Sequence, residues 1–274
     1  EGELKISAAV FNYASEAIMI TDANNRIEMV NPAFCAISGY GADEVIGMSP
    51  NILNSGRHGS CFYQQMWQSL ESDNAWQGEI WNKRKNGEIY PEYLAISVVR
   101  DCYGKAVQYI SLFSDISKHK KYEEDLWMQA NYDSLTGLPN RNLLMDRLHH
   151  ELQDDKRVTS VALLFIDLDR FKHVNDTWGH KSGDELLKLA ALRLTESVKE
   201  ADTVARFSGD EFVVILNDVN NKLCVERVAK RILSVLSTPF SLSRNNEAVL
   251  SASIGITMAP DDSSKVDVLI KNAD

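Results

Sequence analysis

Hydrophobic and polar positions divide the chain into two stretches of different character. In the first stretch, residues 17–29 alternate as two short strands around an Asp-Ala-Asn-Asn turn, and residues 31–37 have helical spacing. Three longer strand-like runs follow at residues 76–83, 89–99 and 106–113, separated by turn signals that contain Asn-Gly or Tyr-Gly. A strand pair and a strand triplet with short helices between them predict an antiparallel five-stranded sheet with helices on one face.

The second stretch begins after residue 133 and alternates between helical and strand-like segments. Helical spacing covers residues 143–153, 183–198 and 222–236. Strand-like runs cover residues 158–166, 203–207, 212–216 and part of 248–258. This order predicts an α/β sandwich built on a central, mostly antiparallel sheet flanked by helices.

A charged helical segment joins the two stretches. Within it, Ile116, Tyr122, Leu126 and Ala130 fall near one stripe. The stripe allows two interpretations, a solvated linker helix or a short coiled coil with a second chain. We therefore predict three parts: a first domain at residues 8–118, a connector helix at 119–132 and a second domain at 133–274.

Composition narrows the class of protein. The chain has 274 residues and a formal charge of -10, which disfavours a protein that grips the nucleic-acid backbone. No apolar run approaches the roughly 18 residues of a membrane span, and the four cysteines show no metal-ligand spacing. We expect reduced thiols and a cytoplasmic location for this region, with a membrane anchor elsewhere in the protein left open. The helical pattern is unfinished at Asp274, which predicts that the natural protein continues.

Two acidic clusters follow strand-like runs in the second domain. Asp167-Leu168-Asp169 comes directly after the apolar run, and Asp210-Glu211 lies in the turn between two later strands. If those strands are neighbours, Asp167 and Asp210 meet at one sheet edge. Paired carboxylates there would bind a hard divalent cation, Mg²⁺ above all, with water and phosphate oxygens completing its shell.

The motifs around these acids resemble the GGDEF family of diguanylate cyclases. They are DSLTGLPNR at 133–141, DLDRFKHVND at 167–176, Gly179-His180 with Gly183-Asp184, and RFSGDEF at 206–212. The resemblance implies that one GTP binds to each domain and that two facing domains of a homodimer condense them into cyclic di-GMP. A second interpretation is a weakly catalytic module that binds GTP and regulates a phosphodiesterase domain beyond residue 274.

The resemblance also implies roles for individual residues. Asp167, Asp210 and the Leu168 carbonyl would bind Mg²⁺ or Mn²⁺. Phe171, Lys172 and Gly209 would contact the phosphates, and Asn175 and Asp184 would read guanine. Asp210, Glu211, Lys172 and Arg206 would form the catalytic set.

Two departures from the family pattern bear on activity. Ser208 stands where the signature has its first glycine, and a serine there would be strained if that position has a positive φ. The family's inhibitory Arg-x-x-Asp motif is replaced by Lys199-Glu200-Ala201-Asp202. Because lysine lacks the guanidinium fork of arginine, we predict weak or absent product inhibition.

The first domain resembles PAS sensor domains. The resemblance rests on DANNRIEMVN at 22–31, on Gly39-Tyr40 followed by Glu44-Val45-Ile46-Gly47, on Lys85-Asn86-Gly87 and on Asp115-Ile116-Ser117. It predicts the fold and leaves the sensor ligand open.

Three residues are candidate ligand contacts in this domain. Trp81 and Asn82 lie in a segment similar to flavin-binding PAS domains, where Asn82 would hydrogen-bond an isoalloxazine edge; the alternative is a core tryptophan and a strand-end asparagine. His58 is the one centrally placed histidine that a haem would need. Pro50 stands where light-sensing relatives carry their reactive cysteine, so we expect no photochemical adduct.

Overall fold

The chain folds into two compact units, residues 1–124 and residues 125–274. The computed structural model describes residues 2–153, 160–219, 221–243 and 246–274. Residues 158 and 159 of the strand predicted at 158–166 lie outside these ranges. Within them, no helix combines the length and apolarity that a bilayer crossing requires.

The first unit is a five-stranded antiparallel sheet with helices, which confirms the predicted fold. The strand order is β2-β1-β5-β4-β3. The strands are β1 (Ala17–Asp22), β2 (Ile27–Val30), β3 (Ala75–Lys83), β4 (Ile89–Arg100) and β5 (Ala106–Asp115). The helices are α1 (Gly2–Tyr13), α2 (Pro32–Ser38), α3 (Ala42–Val45), a 3₁₀ turn (Pro50–Leu53) and α4 (Ser60–Ser72).

Asn31 joins three elements of this unit through one buried amide. Its Oδ1 accepts from the backbone N–H groups of Phe34 and Ile18, both at 2.9 Å, so it caps α2 and ties that helix to β1. Its Nδ2 donates to the carbonyl of Glu16 at 2.9 Å and to that of Phe11 in α1 at 3.2 Å. Because a side-chain amide both accepts and donates hydrogen bonds, Asn31 alone satisfies backbone groups before β1, in β1 and in α2.

The inward face of the sheet forms the core of the first unit. Side chains alternate along β4, where Leu94 and Ile96 point inward and Tyr93 is 42% exposed. They pack with Phe113 of β5 and with Phe34 of α2. The predicted alternation thus sets which residues face the interior of the sheet.

The second unit is a four-stranded antiparallel sheet with helices on both faces, as predicted. The strand order is β11-β6-β8-β7. The sheet strands are β6 (Ser160–Leu168), β7 (Thr203–Ser208), β8 (Glu211–Val219) and β11 (Ala252–Ala259), with a separate hairpin of β9 (Phe240–Leu242) and β10 (Asn246–Ala248). The helices are α6 (Arg141–Gln153), α7 (Phe171–Trp178), α8 (His180–Glu196), α9 (Lys222–Leu236) and α10 (Val266–Ala273).

Burial on both faces explains why the sequence of strand β6 is continuously apolar. Alternate residues enter two different cores: Leu164 and Ile166 pack with α8 and α9, and Leu163 and Phe165 pack with α6 and α10. A strand buried on both faces cannot alternate with polar residues. The same burial makes β6 a rigid support for the acidic residues at its end.

A helix, α5 (Ser117–Asn131), occupies the predicted connector. None of its described residues is buried. Tyr122 and Leu126 of the predicted stripe are each 66% exposed. Helix α1 and the β9–β10 hairpin were not predicted, because neither has a clear apolar period in the sequence.

Candidate functional site

The structure brings the two acidic clusters to one edge of the second sheet. Asp167, near the end of β6, pairs in register with Glu211, the first residue of β8. Asp210 precedes Glu211 in the turn from β7. Burial and the negative charges of Asp210 and Glu211 raise the pKa of the Asp167 carboxyl. The carboxylates are therefore close enough to repel one another.

The donor set fits a hard divalent cation. A bound cation would relieve the repulsion at Asp167, and Asp210 supplies a second carboxylate at the same edge. The Leu168 side chain has no ligand atom, so this residue has only its backbone carbonyl to offer. Across the described residues, no three acidic, histidine or cysteine side chains form a complete metal cage, so water and phosphate oxygens must supply the remaining ligands.

Arg206 fixes the turn that carries Asp210. Its guanidinium donates from Nε and from a terminal nitrogen to the carbonyl of Gly209, at 2.9 and 2.7 Å. Its other terminal nitrogen donates to both carboxylate oxygens of Asp133, at 3.0 and 3.1 Å. Asp133 also accepts from the backbone N–H of Thr136 at 2.9 Å and from its hydroxyl at 2.7 Å. Burial alone would raise the pKa of Asp133, but the hydrogen bonds from Thr136 and Arg206 hold it below its usual range. The geometry makes Arg206 a residue that positions the turn.

Ser208 is accommodated without backbone strain. The positive φ of this turn, +45°, belongs to Gly209, and Ser208 ends strand β7. The Ser208 hydroxyl donates to a carboxylate oxygen of Glu211. The condition under which Ser208 would be strained is therefore not met, since the positive φ falls one residue later, at Gly209.

The turn between β6 and α7 is anchored beside the acids. Asp169 accepts hydrogen bonds from the hydroxyls of Ser251 at 2.6 Å and Ser253 at 2.8 Å, which lowers the pKa of its carboxyl. Arg170 takes a left-handed conformation, with φ of 61°, just before α7. Phe171 and Lys172 are the first residues of that helix, so their backbone N–H groups are free of intrahelical partners. Such amides suit the binding of phosphate oxygens.

Helices α7 and α8 meet closely at Gly183. A Cβ atom placed on Gly183 would lie 2.0 Å from Oδ1 of Asn175 and 3.1 Å from the ring of Phe171. The absence of a side chain at Gly183 therefore lets Asn175 lie against α8, and the exposed Asp184 is the next residue of that helix. Gly183, to which the sequence analysis assigned no role, therefore contacts one proposed guanine reader and precedes the other in the chain.

The segment 199–202, which replaces the family's inhibitory motif, has a structural role. Asp202 accepts the backbone N–H of Lys199 at 2.9 Å and that of Asn217 at 3.0 Å, one on each carboxylate oxygen. The Lys199 side chain is exposed. Asp202 thus stabilises the loop before β7.

The first unit contains a cavity of about 320 Å³, and Asn82 is among its lining residues. Trp81 and His58 are absent from that lining within the described part of the chain. Trp81 lies on the opposite face of β3, under the guanidinium of Arg57. Nε2 of His58 accepts the backbone N–H of Trp81 at 2.9 Å, so that nitrogen has no lone pair free for haem. Neither residue lines this cavity, and a role for Trp81 or His58 as a ligand contact stays a prediction.

Sequence reasoning missed one acid of this cavity, Glu92. It is 1% exposed, and burial raises the pKa of its carboxyl to about 7. It stands at an inward position of β4, in line with Tyr90 and Leu94. A lone acid at an inward position of an alternating strand is the signal that could have identified it.

Comparisons with known proteins agree with this geometry. The family model "Diguanylate cyclase, GGDEF domain" matches residues 130–274, and a PAS domain model matches residues 15–118. The cyclic di-GMP phosphodiesterase PdeR of Escherichia coli is 30% identical over 99% of this chain and 41% of PdeR. The diguanylate cyclase TpbB of Pseudomonas aeruginosa is 39% identical over 53% of this chain and 34% of TpbB.

A solved structure supports the fold of the second unit. The isolated GGDEF domain of TpbB from Pseudomonas aeruginosa has a TM-score of 0.51 and 38% identity, covering 52% of this chain and 83% of that one. This chain spans less than half the length of PdeR and of TpbB. With its acids, turn and helix N-terminus arranged as described, the chain belongs to the GGDEF family of diguanylate cyclase domains, here preceded by a PAS domain.

Proposed function

We propose that this chain condenses two GTP molecules into cyclic di-GMP and pyrophosphate under the control of its PAS domain. The observation that carries the proposal is the convergence of Asp167, Asp210 and Glu211 beside the free N-terminus of α7. A cluster of repelling carboxylates next to unsatisfied amides suits a metal-bound triphosphate. The intact acids favour catalysis over binding alone.

Different residues of the site bind the phosphates and the guanine base of GTP. The backbone N–H groups of Phe171 and Lys172 and the Lys172 ammonium bind the β- and γ-phosphates. Asn175 and Asp184 read the guanine edge, where a carboxylate accepts from N1 and N2 and so distinguishes guanine from adenine. Arg206 and Gly209 hold the turn so that Asp210 and Glu211 face the phosphates.

Metal binding belongs to the same site. Asp167, Asp210 and the Leu168 carbonyl would hold Mg²⁺ or Mn²⁺, which neutralises phosphate charge as pyrophosphate leaves. The protein's own contribution is to orient the triphosphate and to hold the carboxylates beside it. Positioning and electrostatics then account for most of the acceleration.

The reaction needs two copies of the chain. One domain holds one GTP, and the 3′-hydroxyl of a second GTP must reach the first α-phosphorus in line. Helix α5 exposes Tyr122, Leu126 and Trp127, with 66%, 66% and 51% of each residue accessible. An exposed apolar stripe on a connector helix favours a homodimer. We propose that pairing along α5 is the route by which the PAS domain controls the distance between two cyclase sites.

For the sensor cofactor, we propose a flavin bound in the cavity of the PAS domain. Its support is the similarity of the segment around Asn82 to flavin-binding domains and the position of Asn82 in the cavity lining. Because Trp81 does not line the cavity, Asn82 alone carries this proposal. A visible absorbance band of flavin in the purified protein is the test, and a colourless protein contradicts it.

A second candidate function has a specific observation in its favour. PdeR, whose name describes a phosphodiesterase, is 30% identical over 99% of this chain. That similarity fits a GGDEF module that binds GTP and regulates a phosphodiesterase domain elsewhere in the protein. The two functions differ in turnover: incubation with GTP and Mg²⁺ yields cyclic di-GMP under the first and unchanged GTP under the second.

A further inference from the structure

A cleft of about 310 Å³ lies beside the turn that carries Asp210. It is lined by residues of β7, of its turn and of the start of α6, among them Asn140, Arg141, Arg206 and Phe207. Strand β7 is an edge of the sheet, and β8 separates it from β6. Phe207 packs with the core beneath α6, whereas Phe171 of α7 packs with the core on the other face. The cleft and the N-terminus of α7 therefore lie on different sides of the β7–β8 turn.

Arg141 is held in this cleft by an aromatic ring. Its Cζ lies 4.6 Å from the ring centroid of Phe207, and that ring packs edge to face on Phe165 of β6 with 5.2 Å between the centroids. Because the ring is anchored on the sheet, it restricts the plane of the guanidinium. The backbone is fixed as well, since the nearby carbonyl of Pro139 accepts the N–H of Arg206 at 2.9 Å.

The two guanidinium groups of the cleft differ in their partners. Arg206 donates to the Asp133 carboxylate and to the Gly209 carbonyl. Arg141 is exposed, and among the described residues no acceptor bonds to its guanidinium. A guanidinium that is stacked on a ring and keeps its N–H donors free is arranged for bidentate contact with an oxyanion such as phosphate.

The position of Arg141 favours the phosphates of a second nucleotide. Lys172 and the N-terminus of α7 are placed for the GTP of the same chain, across the turn from Arg141. A second GTP reaches this turn from the solvent side, carried by the other chain of the dimer. Its phosphates are the oxyanions that an exposed, unpaired guanidinium beside the turn would meet.

We propose that Arg141 binds the phosphates of the GTP held by the partner chain and so completes the partner's active site, an assignment that rests on the proposed cyclase function. In each step, the 3′-hydroxyl oxygen of one GTP bonds to the α-phosphorus of the other. The bond from that phosphorus to the bridging oxygen breaks, pyrophosphate leaves, and the hydroxyl proton passes to solvent. Arg141 neutralises negative charge on the α-phosphate oxygens of the GTP that is attacked.

Mixed dimers test which chain supplies the arginine. Two 274-residue chains with different affinity tags are co-expressed, purified through both tags and supplied with GTP and Mg²⁺. Asp210→Ala paired with the wild type has one intact acidic edge, so it should form one bond and yield a linear guanosine dinucleotide. Asp210→Ala paired with Arg141→Ala should yield the same product, because the intact edge of the second chain meets the Arg141 of the first.

The reciprocal pair removes that arginine. A chain with both Asp210→Ala and Arg141→Ala is paired with the wild type, so the intact acidic edge faces a partner without Arg141. The linear product should form about 30-fold more slowly than in the other pairs, which is the value of one charge-assisted contact.

Homodimers provide the matched controls. Arg141→Ala should slow cyclic di-GMP formation by a similar factor, and Arg141→Lys should recover only part of the rate, because lysine lacks the fork. Arg231→Ala, which removes an exposed arginine from α9, should keep the wild-type rate.

Each outcome has a separate meaning. A slow pair of Asp210→Ala with Arg141→Ala and a fast reciprocal pair would assign Arg141 to the GTP of its own chain and overturn the proposal. Equal rates of these two pairs, or a wild-type rate in Arg141→Ala homodimers, would overturn it as well. Wild-type homodimers that make cyclic di-GMP keep these results distinct from a failure of the proposed function, whereas homodimers that make none would refute both.

Discussion

The hydroxyl of Ser208 donates a hydrogen bond to the carboxylate of Glu211 across the turn that carries Asp210. The two residues face each other because Ser208 ends β7 and Glu211 begins β8 in the same register. The conformation that requires glycine belongs to Gly209, at φ of +45°. A serine at the first position of the signature is therefore compatible with the geometry of the turn.

Separate substitutions at Ser208 and Gly209 distinguish the effect of the hydrogen bond from that of the backbone conformation. Ser208→Gly removes one exposed hydrogen bond and no required conformation, so we expect cyclase activity within about fivefold of the wild type. Gly209→Ser meets no atom within 4 Å but must adopt a positive φ, which costs about 1–2 kcal/mol. We expect a larger loss of activity for Gly209→Ser. Initial rates of the two variants check this order, and a reversed order would show that Ser208 is the constrained residue.

Gly183 provides a test of guanine recognition. In Gly183→Ala the added methyl would lie 2.0 Å from Oδ1 of Asn175 and displace that side chain. We expect the KM for GTP to rise about tenfold or more with a smaller change in kcat, because the clash disturbs binding rather than chemistry. Ser182→Ala, one residue away on the same helix, serves as the control. An unchanged KM in Gly183→Ala would remove Asn175 from the guanine site.

Glu92 makes the stability of the PAS domain depend on pH. Its folded pKa is raised to about 7 from an ordinary value of 4.5, so the folded state holds the proton more tightly than the unfolded state. The contribution of neutral Glu92 is present below pH 4.5 and is lost as the pH rises through 7. The wild type should lose up to about 3 kcal/mol relative to Glu92→Gln over this interval.

Urea unfolding at several pH values measures that difference. In a background with Trp127→Phe and Trp178→Phe, tryptophan fluorescence follows the first unit through Trp67, Trp76 and Trp81. Glu71→Gln, at an exposed position of α4, controls for the loss of a charge and should not change the pH dependence. A parallel pH dependence of the wild type and Glu92→Gln would mean that Glu92 does not carry the shifted pKa.

The loop before β7 predicts the response to product. Asp202 uses both carboxylate oxygens on the backbone of Lys199 and Asn217, and Lys199 lacks a guanidinium fork. Added cyclic di-GMP should inhibit weakly, and Lys199→Ala should leave that inhibition unchanged. Asp202→Ala should instead lower stability by about 2 kcal/mol, because two N–H groups lose their acceptors. Tight inhibition that Lys199→Ala abolishes would refute this account.

The sequence predicted the folds of both units because local periodicity and tertiary burial agree. The run at β6 is apolar throughout since both of its faces are covered, and β4 alternates since one face is not. Motif spacing also brought Asp167 and Asp210 to the same sheet edge, which follows once β6 and β8 are neighbours.

The remaining features depend on three-dimensional contacts that spacing does not encode. The positive φ considered for Ser208 occurs at Gly209 instead. The sequence alone does not tell which of the two neighbouring turn positions adopts it. Nε2 of His58 accepts a hydrogen bond from the backbone N–H of Trp81, and neither residue is among those that line the cavity of the first unit. Glu92 has a sequence signal, a lone acid at an inward position of β4, but its hydrogen bonds with Asn82 and Tyr90 are visible only in the structure.

The most direct test of the central claim is the conversion of GTP by the 274-residue chain in the presence of Mg²⁺. Cyclic di-GMP and pyrophosphate are followed by chromatography at several protein concentrations, with Asp210→Ala as the control. The account predicts product whose rate rises more steeply than linearly with protein concentration, since two chains form one active site, and no product from Asp210→Ala. GTP that binds to the wild type but stays unconverted at every concentration would contradict it.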